Sequence, residues 1–246
     1  KDEELEYIEE RMSSFSKNRI DTLNCICLFP LKNNGSAKKF SQFIETLYLS
    51  LSTRIQPLRQ KIIIYLCQDK NELAGFWFEP QIPLWINAFI ASRRILVADI
   101  KGIKNMIGKK AQPGMSHEIM HILLGEYNVR IPIWLEEGLC EYFSKQDPNV
   151  KLLELIRQKK LLSFKELEAG TRHTLLDIDN ARTQENICYH QSHSFVSFIC
   201  KTFGEKEILN SLKDMSLQKD FSQVFYENTG KTLDEMEKEW LKRLLT

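Results

Sequence analysis

His117-Glu118-Ile119-Met120-His121 is the stretch on which the reading of this chain turns. Residues four apart on a helix are neighbours on one face, so the two imidazoles of an HExxH string can grip a single ion. Zinc accepts imidazole nitrogen readily, and a catalytic site keeps one coordination position for water. Glu118, beside the first histidine, is placed to take a proton from that water, the task of a general base. The bland reading of the same string is an amphipathic helix carrying two polar histidines. The residues downstream decide against it.

Glu137 follows His121 by 16 residues, inside Ile131-Pro132-Ile133-Trp134-Leu135-Glu136-Glu137-Gly138-Leu139-Cys140-Glu141-Tyr142. Pro132 suits the first turn of a helix, where its missing N–H costs nothing. Trp134, Leu135, Leu139 and Tyr142 fall at near-helical spacing, as one buried face requires. A second helix antiparallel to the first can present a carboxylate to the histidines, completing a three-ligand catalytic zinc site. Three carboxylates compete for that place. Glu136 sits about 100° around the helix from Glu137, so both cannot face one metal. Glu141 is four residues beyond Glu137 and shares its face.

HExxH followed by P-x-W-L-x-E-G-x-x-x-Y resembles the gluzincin metallopeptidases, most closely the bacterial peptidase MA-like group. The likeness is strongest between Pro113 and Tyr142. It implies one zinc ion as cofactor, held by His117, His121 and Glu137, with Glu118 as general base. Glu141 is then the candidate to accept a hydrogen bond from a ligand imidazole. The implied reaction is hydrolysis of peptide bonds in a peptide or protein substrate. Water attack on an amide makes an oxyanion, which needs donors beyond the metal. In the resembling family a tyrosine opens a helix of form Y-x-x-S-x-x-x-V and points into the site, and Tyr189 matches that position. His193, one turn later, shares its face and can play the same part. The family's cleft-rim strand pairs with an extended peptide through backbone hydrogen bonds. It corresponds to Arg93-Arg94-Ile95-Leu96-Val97-Ala98, making Ile95, Leu96 and Val97 the expected substrate-binding residues.

The resembling aminopeptidases hold the substrate's free amine with glutamates, one of them in a Gly-x-Met-Glu-Asn motif before the zinc helix. Here Gln112-Pro113-Gly114-Met115-Ser116 precedes His117, and the 40 residues before His117 contain only Glu79 and Asp99 as acids. A buried cation needs acidic partners. The expectation is therefore an endopeptidase or processing protease rather than an aminopeptidase. From another class comes a non-catalytic peptide-binding module that retains the fold. A zymogen-like enzyme, its cleft covered by the acidic N-terminal segment or by an aromatic loop, is a further alternative.

Charged residues make up 27 % of the 246 positions and nearly cancel to +1, which removes any electrostatic case for nucleic acid. No run approaches the ~18 apolar residues of a membrane span. The start, Lys-Asp-Glu-Glu-Leu-Glu, lacks the apolar core of a signal peptide, though the chain does not begin with Met and a removed signal stays open. The six cysteines show no metal-knuckle spacing and read as buried thiols of a reducing, cytoplasmic compartment. Cys25 and Cys27 alternate along a strand and point one way, while Cys140 reads as a packing residue rather than a ligand.

Residues 1–19 read as an outer amphipathic helix, Thr22 to Leu31 as a strand, and Phe40 to Leu51 as a helix ending before Pro57. Lys61 to Cys67 and Arg93 to Ala98 read as strands. Between them, Phe76-Trp77-Phe78-Glu79-Pro80 and Pro83-Leu84-Trp85 suggest a hydrophobic minicore under a long loop. His190 and Gln191 read as surface residues and His173 as a loop residue. Thr232 and Glu235 form a capping box for the last helix. After Gly114 the pattern is helical to the end. The expected class is α+β, with a mixed α/β part over 1–112, rim strand included, and a helical zinc-binding part over 113–246.

Overall fold

The structure is a computed structural model. It describes residues 10, 18–30, 34–77, 82, 86–103, 107, 112–144, 161–163, 166–167, 178–215 and 219–244, with 103 and 178–187 given by their backbone course alone. The helix expected over residues 1–19 lies almost wholly outside these, and so does His173. The chain divides into two compact units, Lys1–Glu126 and Tyr127–Thr246. The fold is mixed, with a five-stranded sheet in the first unit and helices in the second.

In the first unit, β1 (Asn18–Asp21), β2 (Cys25–Phe29), β3 (Ile62–Cys67), β4 (Ala88–Ser92) and β5 (Ile95–Asp99) form a sheet of order β1-β2-β3-β5-β4. The inner strands β2, β3 and β5 are parallel, and β1 and β4 are antiparallel to their neighbours. Parallel neighbours need a crossover, and α1 (Asn34–Ser52) supplies it between β2 and β3. Its buried stripe of Ala37, Phe40, Ile44, Leu47, Tyr48 and Leu51 recurs every three or four residues and covers the β2 side of the sheet. Cys25 and Cys27 alternate on β2 and are both fully buried. On the other face Tyr65, Phe89, Ala91, Ile95 and Val97 pack with Leu73, Phe76 and Ile86, against which Trp77 and Ile82 also lie. Of the expected minicore, Phe76 and Trp77 belong to the cover of this sheet face, and 78–80 and 83–85 lie outside the described residues. The short helices α2 (Lys70–Ala74) and α3 (Ile100–Ile103) follow β3 and β5, and α4 (Gln112–Gly125) completes the unit by packing on α1 and β4. That packing sets the unit boundary after α4, whereas the sequence reading placed it before.

Two strands are not expected from the sequence. β1 is polar and overlaps the stretch 1–19 by its first two residues, and β4 (Ala-Phe-Ile-Ala-Ser) has Ile90 as its one β-branched residue. Both are held by their partners more than by propensity.

The second unit comprises α5 (Ile133–Ser144), α6 (Ile178–Phe203), α7 (Glu205–Asp214), α8 (Phe221–Thr229) and α9 (Leu233–Leu244). α6 is its axis, in contact with α5, α7 and α9, and every residue from 191 to 200 on it is buried. Trp134 of α5 packs at a tilt on Phe195, with ring centroids at 5.5 Å, and edge-on against Phe221 at 6.0 Å. Trp240 of α9 meets Phe195 at 5.5 Å and donates its indole N–H to Ser194 Oγ at 3.1 Å. The capping box of α9 is present: Glu235 N–H donates to Thr232 Oγ1 at 3.2 Å, and Thr232 N–H donates back to the Glu235 carboxylate at 2.8 Å.

Candidate metal centre

The HExxH string lies on α4, whose second residue, Pro113, sits where a missing N–H is harmless. Met115, Ile119, Met120, Ile122, Leu123 and Leu124 bury the helix on most of its circumference. Gly114, Glu118, His121 and Gly125, spaced four, three and four apart, form its less buried line. His117 adjoins that line and is 9 % exposed. His121 Nε2 stands 3.1 Å from His117 Nε2, with the ring planes 72° apart and the centroids at 4.9 Å. A tetrahedral zinc ion at about 2.0–2.1 Å from each nitrogen holds the two about 3.3 Å apart. The spacing and donor chemistry of this pair therefore suit zinc. Glu118, half-buried between them in sequence, is on the same side of the helix.

In the second unit, Pro132 closes the approach to α5, its carbonyl accepting from Leu135 N at 3.0 Å and Glu136 N at 2.9 Å. Trp134, Leu135, Gly138, Leu139, Cys140, Phe143 and Ser144 are its buried residues, while Glu136, Glu137, Glu141 and Tyr142 are half-buried. The expected apolar face is thus present except at its end, where the Tyr142 hydroxyl donates to Glu205 Oε1 of α7 at 2.9 Å. Gly138 explains itself by geometry. A Cβ there would lie 2.5 Å from Val196 Cγ2 and 2.7 Å from Ser192 O, so only glycine lets α5 come this close to α6. Cys140 sits one turn beyond Glu137 on the same helix, fully buried.

α6 carries the remaining candidates. Tyr189 is half-buried and His193 is 3 % exposed, one turn apart on one flank of the helix. Tyr189 does not open the helix as expected, since α6 already begins at Ile178. Gln191 is not a surface residue. It is 2 % exposed, its Oε1 accepting from Leu162 N at 2.8 Å and its Nε2 donating to Leu162 O at 2.6 Å. Nothing in a sequence separates such a glutamine from a solvated one.

The substrate-binding expectation for Ile95, Leu96 and Val97 meets a contradiction. They lie in β5, which is hydrogen-bonded to β3 on one side and to β4 on the other, so no edge is left for a peptide. All five β5 residues are buried. The uninterrupted apolar run Ile95-Leu96-Val97-Ala98 was the available signal, because central parallel strands are apolar on both faces. Among the described residues, the outer strand on that side is β4, which also packs on α4. Arg93 and Arg94 form the β4–β5 turn rather than strand.

No family model matches this chain, and a search of curated proteins finds no match either.

Proposed function

We propose that the chain is a zinc-dependent peptidase in which His117, His121 and Glu137 hold the ion and Glu118 serves as general base. The observation that carries this reading is the convergence of the two imidazole Nε2 atoms at 3.1 Å on the face of α4 that also bears Glu118. Zinc, when bound, supplies a Lewis acid that polarises the substrate carbonyl and makes water acidic near neutral pH. Glu118 takes the proton of the attacking water and passes it to the leaving amine. Tyr189 donates a hydrogen bond to the oxyanion, with His193 as the neighbouring donor. Glu141 steadies a ligand imidazole by accepting its second N–H. An extended substrate adds as a strand to β4, in place of β5, so recognition is mostly of backbone. Cleavage is internal, a reading supported by the 40 residues before His117, which offer only Glu79 and Asp99 as acids to hold a free amine.

Two measurements test this. Purified protein should carry about one equivalent of zinc, and Glu118→Gln should keep the zinc and the fold while abolishing peptide cleavage. A variant that still cuts, or wild-type protein that protects peptides and never cuts them, sinks the mechanism and leaves the binding module. Cys140 competes with Glu137 for the third ligand place, since the two share a face of α5. Cobalt substitution separates them: a thiolate ligand gives an intense near-ultraviolet charge-transfer band, which a carboxylate lacks, and Glu137→Gln should release the metal.

A further inference from the structure

We propose that Tyr142 and Glu205 are a positioning pair that fixes the rotation of α5, and through it the aim of Glu137. This rests on the zinc reading above and goes beyond it, since neither residue is placed at the metal or the substrate.

α5 meets α6 at Gly138, which brings no side chain of its own, so that Val196 Cγ2 and the Ser192 carbonyl of α6 seat against its backbone. On the α5 side this contact offers no side chain to key into α6, so it sets how close the two axes come more than how α5 is turned about its own axis. Trp134 grips Phe195 and Phe221 three residues before Glu137, but ring packing is tolerant of small shifts. A directional hold comes from the other side. Tyr142, five residues after Glu137 and about 140° around the helix, donates its hydroxyl to Glu205 Oε1 at 2.9 Å. Glu205 is the first residue of α7, just after Gly204 with its φ of 94°. A carboxylate in the first turn of a helix is favoured by the unpaired N–H groups and the dipole there, so the acceptor is itself anchored. Glu137 therefore lies between an apolar anchor and a polar one. Metal ligands must be placed to within about 0.2 Å in distance, a tolerance that a helix free to turn by a few degrees exceeds at its side-chain tips.

The test follows zinc release from the loaded chain to a chromogenic chelator, alongside thermal unfolding. Tyr142→Phe and Glu205→Ala should each weaken zinc binding about tenfold, the usual scale for groups that orient a ligand. Glu205→Gln, which retains an acceptor oxygen, should behave nearly as wild type, and combining Tyr142→Phe with Glu205→Ala should add nothing further. Trp240→Phe is the control, because it deletes the bond to Ser194 in the same unit. It should lower the melting temperature comparably and leave zinc release unchanged. Should Tyr142→Phe fail to fold, the Glu205 pair carries the comparison with the tyrosine ring intact. Wild-type release rates in Tyr142→Phe, or equally fast release from Trp240→Phe, overturn the proposal. A wild-type chain that takes up no zinc fails the parent reading instead, and the same assay shows this before any variant is compared.

Discussion

Gln191 shows what one residue can hold. Its buried amide satisfies both backbone groups of the half-buried Leu162, a residue 29 positions away in the second unit. Gln191→Ala removes both bonds, and because Leu162 is half-buried the cost falls toward the lower end of the about 1–3 kcal/mol of an unsatisfied group. Urea unfolding should show a loss of about 1 kcal/mol, and no measurable loss would mean that water fully replaces the amide. The cysteines make a second residue-level case. None forms a disulfide, and all are buried. Burial pushes the Cys25 thiol up to about 12 and the Cys27 thiol up to about 11. A thiol raised in the folded state stabilises the fold fully below its unfolded value near 9, and that contribution is lost as pH rises from there toward 11 and 12. At pH ~8 the folded protein should therefore resist iodoacetamide at Cys25 and Cys27, reacting promptly only in denaturant. Quick labelling of either thiol in the folded protein would contradict their burial.

At the level of elements, two helical glycines should respond oppositely to the same change. Glycine costs a helix interior about 1 kcal/mol against alanine, so both substitutions gain in propensity. At Gly114 the added Cβ meets nothing within 4 Å, and Gly114→Ala should stabilise by a few tenths to 1 kcal/mol. At Gly138 the contacts of 2.5 and 2.7 Å include the Ser192 carbonyl, which belongs to the backbone of the buried stretch 191–200 of α6 and cannot step aside. Overpacking of this kind costs about 1–3 kcal/mol or more, outweighing the propensity gain, so Gly138→Ala should be destabilising by at least about 1 kcal/mol in thermal or urea unfolding. Equal effects at the two positions would show that α5 and α6 can move apart. Strand β4 is likewise an element-level matter: its place at the sheet's outer side, with α4 packed against it, makes it the strand to probe. A peptide N-methylated at alternate amides should bind less tightly than its parent if it adds to β4.

For the whole molecule, the mode of cleavage is the sharpest expectation. One peptide, offered with a free and with an acetylated N-terminus, should give the same internal fragments by mass spectrometry. Single residues released from the free peptide alone would establish an aminopeptidase instead. Much of this molecule was legible in the sequence. α1, α4, α5, β2 and β3 announce themselves through period and length, and so does the capping box at Thr232. What stayed hidden is tertiary in origin. Strand order decided that β5 is central, partner strands created β1 and β4, and burial turned Gln191 from a solvated residue into a clasp. Period alone placed His117 and His121 on one face, because helix geometry is local. Gly138 bears on how a motif of this kind should be read in other chains. Trp134, Leu135 and Gly138 are demanded by packing on α6 and its neighbours, whatever chemistry takes place. On the peptidase reading proposed above, a descendant that had given up hydrolysis would drift first at Glu118 and Glu137 and keep the tryptophan, leucine and glycine, so that only the two glutamates would report on such an activity.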